Sequence, residues 1–213
     1  MRGNLFQMKQ TDKKLNRLTG LFVRILLRPQ VRYMAPERSS EILSEPSIII
    51  ANHTSHLDGP FLNTAMKQND IHSLAAKDRF EQRGFGFFLR HTGCIPIDRN
   101  NLDTSWIHDS LEILHKEHEH VAIYPEGQHG NHRHQLPFKP GVVMLAAVAK
   151  VPLVMVYIDG PLKLFRQNRM IVSSPFYLQV PSGPLSAETV KELTSFLERK
   201  MENMMLKLVL NQD

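Results

Sequence analysis

A chain of 213 residues, 42% apolar and 22% charged, describes one globular domain with a sizeable core and leaves no room for a second full domain. Its single cysteine, Cys94, excludes an internal disulfide and suits a reducing, intracellular compartment. A formal net charge of +5 favours a negatively charged partner (anionic lipid, a phosphorylated substrate, an acidic carrier protein or nucleic acid), and charge alone does not choose among them.

The first dozen residues are polar, and no small-residue cleavage site follows the apolar stretch near residue 25, so no secretory signal peptide is expected. From Lys13 to Arg28, Leu15, Leu18, Phe22, Ile25 and Leu26 share one helical face, with Lys13, Arg17, Arg24 and Arg28 opposite. Such a basic amphipathic helix can lie in the headgroup region of an anionic membrane, each basic residue contributing about 1 kcal/mol. It can equally pack its apolar stripe on the domain.

Ile48-Ile49-Ile50-Ala51 reads as a short buried strand, and Gly59-Pro60 as a helix opening with proline at its first position. Residues 52–58 are then a loop at a strand's carboxyl end. In that loop His53 and Asp58 stand five positions apart. On a continuous helix they would diverge by roughly 140°, but a loop can bring them together, and a paired histidine and aspartate can activate a hydroxyl group.

Further strands are predicted at Ser73–Ala76, Cys94–Asp98, His120–Tyr124 and Leu153–Ile158, and helices at Gly59–Lys67, Gly84–Arg90, Thr104–His118 and Gly141–Ala149. Arg169–Val180 is expected to add an antiparallel pair at the sheet edge. Ser186–Leu208 reads as a long closing helix whose Val190, Leu193, Leu197, Met201, Met204 and Leu208 form one stripe, the methionines as core filler. Val142–Ile158 is the nearest candidate for a membrane span, but Lys150 and Pro152 break it, and a buried helix followed by a buried strand is expected. The alternation predicts a single-domain α/β fold, a mixed, mostly parallel β-sheet flanked by helices on both faces, with ligands gathered at strand carboxyl ends.

Three more loops fall at that edge. Gly93-Cys94-Ile95-Pro96-Ile97-Asp98-Arg99-Asn100 offers an arginine fork suited to a phosphate. Pro125-Glu126-Gly127-Gln128-His129-Gly130 has two glycines that permit close backbone approach to a ligand. Val151-Pro152-Leu153-Val154-Met155-Val156 is an apolar strand entered through proline.

In this order the four blocks resemble the glycerolipid acyltransferase family, which includes bacterial 1-acyl-glycerol-3-phosphate acyltransferases. The resemblance runs from about Ile48 to Tyr157. It rests on Asn52-His53 with Asp58 (an Asn-His-x4-Asp pattern), on Asp98-Arg99, on Pro125-Glu126-Gly127 and on Val151-Pro152, with Ala76-Lys77 and Phe138-Lys139-Pro140-Gly141 as further matches. It implies a glycerol-3-phosphate acyltransferase-like fold: residues 1–30 as an N-terminal membrane-association segment and residues 31–213 as an acyltransferase domain. The implied reaction moves a fatty acyl chain from acyl-CoA or acyl-ACP (acyl carrier protein) to a hydroxyl of a lysophospholipid, in phospholipid biosynthesis. No cofactor or metal is implied beyond that co-substrate, and no nucleic acid. The implied location is peripheral, on the cytoplasmic face of a membrane, with no transmembrane span.

His53 is then the general base and Asp58 the carboxylate that fixes its tautomer and stabilises the imidazolium. A thioester is already activated, so direct attack by the acceptor needs no nucleophile from Ser55 or Thr54. The resemblance assigns acceptor binding to Lys77, Arg99, Glu126 and Gly127. The chain departs from the family where Glu-Gly is often followed by Thr-Arg or Ser-Arg: here Gln128-His129 follows, which removes one cation, so that either the acceptor is something other than lysophosphatidate, such as a non-phosphorylated one, or Lys139 or His129 compensates. Two rival readings stand beside this one. His53-x2-His56 with His129-x2-His132-x-His134 could hold zinc for a hydrolase, or the fold could serve as a basic non-catalytic adaptor at a membrane surface.

Overall fold

The computed structural model describes residues 13–68, 70–98, 103–128, 136–181 and 183–210, with side chains in the first helix from Leu18 onward. Seven strands form one sheet: β1 (Pro29–Tyr33), β2 (Ile48–Ala51), β3 (Ile71–Ala76), β4 (Ile95–Ile97), β5 (His120–Ile123), β6 (Leu153–Ile158) and β7 (Asn168–Val172). Their order is β1-β7-β6-β2-β5-β3-β4. All neighbours run parallel except β6 and β7.

The central strands are buried along their whole length, as expected of a parallel sheet covered on both faces. Alternation sorts their side chains. Ile48, Ile50, Val121, Leu153 and Met155 pack against α5 (Gly141–Ala149) and α6 (Ala187–Leu210). Ile49, Ala51, Ala122, Val154 and Val156 face Phe61, Leu62 and Ala65 of α2 (Asp58–Ala65) and Val23 and Leu27 of α1 (Lys13–Leu27). The stripe on α6 behaves as its spacing predicts: Leu197, Met201, Met204 and Leu208 are buried, and Val190 and Leu193 pack against them. Two further helices, α3 (Phe85–His91) and α4 (Ser105–Glu112), complete the layers.

Four features differ from the sequence expectation. Strand β1 lies at the sheet edge, and its half-buried residues alternate with exposed ones behind an opening proline, a pattern too weak to read locally. The expected pair within Arg169–Val180 is one strand, β7, followed by an isolated antiparallel bridge between Leu153 and Phe176. Helix α2 starts at Asp58, so Pro60 is its third residue; the missing proline N–H falls among first-turn donors that have no helical acceptor. The segment expected as one helix over Thr104–His118 is α4 followed by a π-helical turn at Ile113–Glu117.

The first helix places its stripe unexpectedly. Val23 and Leu27 are buried, and Gly20 approaches Thr64 of α2, whereas Leu18, Leu21, Phe22 and Ile25 are 57–64% exposed. Most of the apolar stripe therefore faces away from the domain. No helix among the described residues is long and apolar enough to cross a membrane.

Candidate active site

The loop between β2 and α2 is pinned at both ends. The Asn52 side chain donates to the Ile158 carbonyl at 2.9 Å and accepts from the Ile158 amide at 2.7 Å, fastening the loop to the carboxyl end of β6. Asp58, fully buried at the start of α2, holds the other end. Its Oδ2 accepts the Thr54 and Ser55 amides at 2.6 and 2.9 Å, and its Oδ1 accepts the Thr54 hydroxyl at 2.9 Å. Position at a helix N-terminus adds a favourable dipole for the charge.

The same Oδ2 lies 2.9 Å from His53 Nδ1, so the two residues five apart in sequence do meet. The geometry fixes the imidazole with Nδ1–H toward the carboxylate, which leaves Nε2 as the ring nitrogen for proton transfer. The His53 ring stacks on Tyr124, centroids 4.5 Å apart and planes at 25°. Asp58 does not line an open cleft, because its side chain is sealed behind the loop that it organises, and only His53 lines the cavity.

Glu126 of the Pro-Glu-Gly loop is buried directly beneath this pair. Burial pushes its carboxyl up to about 7; the backbone amides of His53 and Leu136 pull it back, and the Asp58 charge adds to the rise. Gly127 has φ of +69°, and a Cβ there would fall 2.8 Å from Lys139 Cε and 2.9 Å from its Nζ. The left-handed conformation favours glycine, whereas the space could be cleared by a shift of the flexible Lys139 side-chain end. The Lys139 amide donates to the Pro125 carbonyl at 2.8 Å, closing the loop.

In front of His53 opens a cavity of about 470 Å³. Leu21, Ile71, Leu74, Phe85, Phe88 and Leu89 supply its apolar wall, and Arg24, Lys67 and Arg79 its cations. His56 also lines it, edge-on to Phe85 with centroids 5.7 Å apart; burial, then the charges of Arg79 and His53, hold its pKa below the ordinary histidine value. The Tyr124 and Ser73 side chains are buried together in the same wall, with Ser73 close enough to act on the Tyr124 phenol. Burial, reinforced by the Asp58 charge, pushes the Tyr124 phenol up, so it stays a neutral donor.

The sequence-predicted residues are distributed unevenly around this space. His53, Asp58 and Glu126 come together, but of these only His53 lines the cavity; Glu126 and Gly127, expected to bind the acceptor, lie outside its wall, which their loop reaches through Gln128. Lys77 opens the 3-10 turn Lys77–Glu81 beyond β3, exposed and outside the cavity wall, where its charge helps keep Asp103 ionised after the larger effect of the Ser105 amide and hydroxyl. Two residues on, Arg79 does reach the wall. Arg99, His129, His132 and His134 lie outside the described residues. Val151-Pro152 leads into the buried strand β6, with the Pro152 carbonyl accepting the Ile48 amide at 3.0 Å, so the fourth block is core rather than wall. Among the described residues, neither His53 nor His56 belongs to a group of three metal-ligand side chains.

Tyr124, Arg24, Lys67 and Arg79 were not singled out as site residues by sequence reasoning. Tyr124 carried a usable signal, since it directly precedes Pro-Glu-Gly at the end of an apolar strand. The three cations come from separate elements and carried none.

The Acyltransferase family profile matches residues 30–159. The chain is 29% identical over 166 residues to the 1-acyl-sn-glycerol-3-phosphate acyltransferase of Bacillus subtilis, covering 76% of this chain and 82% of that protein. It is 32% identical over 120 residues to the enzyme of that name from Streptococcus pneumoniae, covering 56% of this chain and 44% of that protein. The crystal structure of the 1-acyl-sn-glycerophosphate acyltransferase from Thermotoga maritima superposes with a TM-score of 0.61 at 20% identity, covering 90% of this chain and 79% of that one.

Proposed function

This chain belongs to the Acyltransferase family, and on that premise we propose that it moves a fatty acyl chain from a thioester, acyl-CoA or acyl-ACP, to a hydroxyl of a lysophospholipid such as 1-acyl-glycerol-3-phosphate, in phospholipid synthesis at a membrane surface. The observation that carries the mechanism is the 2.9 Å contact between His53 Nδ1 and the buried Asp58 carboxylate, with His53 in the wall of the cavity.

His53 Nε2 takes the proton of the acceptor hydroxyl as its oxygen attacks the thioester carbonyl carbon. Asp58 stabilises the imidazolium that forms. The tetrahedral intermediate collapses by breaking the carbon–sulfur bond, and the departing thiolate recovers the proton from His53. The products are an ester and a free thiol, with no acyl-enzyme between.

Arg24, Lys67 and Arg79 supply the positive charge for an acceptor phosphate, together with Arg99, which the family resemblance puts in that role. Glu126 and Gly127 shape the loop beneath His53. The outward stripe of α1 fits a peripheral, monotopic attachment to an anionic bilayer, with residues 31–213 forming the acyltransferase domain. A second reading, a non-phosphorylated acceptor, is favoured by one observation: Gln128-His129 follows Glu-Gly where the family often carries Thr-Arg or Ser-Arg, so His129 stands in place of the arginine in a loop that reaches the cavity through Gln128.

The test is a mass-spectrometric screen of lysophosphatidate, other lysophospholipids and monoacylglycerol against acyl-CoA and acyl-ACP. Ester formation from lysophosphatidate that is lost in His53→Ala supports the first reading. Preference for the neutral acceptor selects the second, and no ester from any pair removes both.

A further inference from the structure

We propose that the β6–β7 turn, with Leu164 and Phe165 at its tip, is a second membrane-insertion element that enters an anionic bilayer beside α1. The proposal rests on the reading of α1 as a membrane-surface helix and adds a separate site of attachment to it. Leu164 and Phe165 are 56% and 66% exposed, a large apolar pair held in water at a turn tip.

The turn is built to hold them there. Asn168, buried at its base, accepts the Lys163 amide at 2.7 Å and donates to the Lys163 and Arg166 carbonyls at 2.9 and 3.0 Å. It also donates to the Leu27 carbonyl, which ties the base of the turn to the end of α1. The Phe165 amide donates to the Leu26 carbonyl, a second tie. Phe165 has φ of +57°, a left-handed conformation that is unfavourable for a bulky residue and persists only where its surroundings impose it. These ties account for the backbone of the turn, but not for the exposure of two large apolar side chains at its tip.

Charge identifies the occupant. Neither Lys13–Ala35 nor Gly160–Asn168 contains an aspartate or glutamate, while Arg24, Arg28, Lys163 and Arg166 are exposed along them. Leu18, Leu21, Phe22 and Ile25 extend the apolar surface along α1, and Leu21 and Arg24 reach the cavity wall. A basic rim around exposed aliphatic and aromatic side chains matches an anionic lipid surface. It also places the cavity beside the phase that holds the lipid substrates.

The test uses the full chain with vesicles of phosphatidylcholine containing about 30% phosphatidylglycerol. The native Trp106 is buried and gives a constant background. Phe165→Trp is expected to show a blue-shifted emission on vesicle addition and quenching by lipids brominated in the upper acyl chain, with Leu21→Trp as the α1 reporter. Leu164→Ser combined with Phe165→Ser is expected to lower vesicle affinity at least tenfold while melting like the wild type, because both side chains leave water only on binding.

Quenching at Leu21→Trp without quenching at Phe165→Trp would overturn the turn proposal and leave the α1 reading standing. Absence of quenching at both overturns the two together. A blue shift that follows protein concentration without vesicles, with a dimer in sedimentation, would assign the patch to a second copy of the chain and overturn the membrane proposal.

Discussion

Asp58→Asn separates the charge of the buried carboxylate from its shape. The carboxylate receives four hydrogen bonds: three on Oδ2, from His53 Nδ1, Thr54 N and Ser55 N, and one on Oδ1 from the Thr54 hydroxyl. An asparagine can turn its carbonyl oxygen to the first three and its amide to Thr54 Oγ1, which accepts as well as it donates. The loop should hold its shape. What is lost is the negative charge facing the imidazolium during acyl transfer. At a charge separation of about 4 Å and an effective dielectric constant near 20, that attraction is worth about 4 kcal/mol, which corresponds to about a thousandfold in rate. Thiol release from acyl-CoA in the presence of lysophosphatidate, followed with a chromogenic thiol reagent, gives kcat directly. The expected result is a kcat lower by about three orders of magnitude, an acceptor KM little changed and a melting curve near that of the wild type. By contrast, Asp58→Ala strips the Thr54 and Ser55 amides of their acceptor in a buried site, at about 1–3 kcal/mol for each, and should melt earlier. A kcat for Asp58→Asn within about tenfold of the wild type, in a protein that melts normally, would refute the assignment of Asp58 as electrostatic partner of the base.

Removing the base itself, His53→Ala, should lower kcat at least about a hundredfold, with a stability loss of about 2–4 kcal/mol from the stacked ring contact and the hydrogen bond to the buried Asp58 carboxylate; a matched pair of kinetic and melting measurements checks both halves. Glu126→Gln tests the buried carboxyl, whose pKa is raised by burial to about 7 from an ordinary 4.5. The folded state binds this proton more tightly than the unfolded state, so the group's stabilisation is present below the ordinary value and is lost as pH rises through 7. Glutamine escapes that loss. The melting temperature of the variant relative to wild type should therefore climb between about pH 5 and about pH 8, by the equivalent of at most about 3 kcal/mol, and a pH-independent difference counts against it. Gly160→Ala would place a Cβ 2.5 Å from Thr54 Cβ and Cγ2. Because Thr54 supplies two of the donors to Asp58, the variant should lose about 1–3 kcal/mol of stability and lose kcat with little change in acceptor KM; full activity would show that the loop tolerates displacement.

The pairing of His53 and Asp58 was legible because it depends on a short stretch of chain. A strand that ends at Ala51 and a helix that starts at Asp58 leave a loop too short to keep the two side chains apart, and that loop's own amides supply the donors a buried carboxylate needs. Glu126 and Gly127 were legible for a similar reason, as a turn directly after a buried strand. The cavity wall was not, because Arg24, Lys67 and Arg79 belong to α1, the segment after α2 and the turn after β3, and only the packed fold brings them together. Strand β1 was hidden likewise: its partner β7 lies about 140 residues further on, and an edge strand buries too little to show a strong pattern.

Helix α1 separates what periodicity tells from what it does not. Its spacing gives an apolar side and a basic side, but either can face the domain, and the choice is made by the partner surface. Gly20 lets α1 approach Thr64 of α2, so a narrow seam of Val23 and Leu27 suffices to dock the helix. Among the described residues, that seam leaves Leu18, Leu21, Phe22 and Ile25 more than half exposed, and sets Leu21 and Arg24 at the cavity. Four large apolar side chains exposed on one face, beside the cavity, are more than docking the helix requires; that surplus is the surface the proposed bilayer contact would cover.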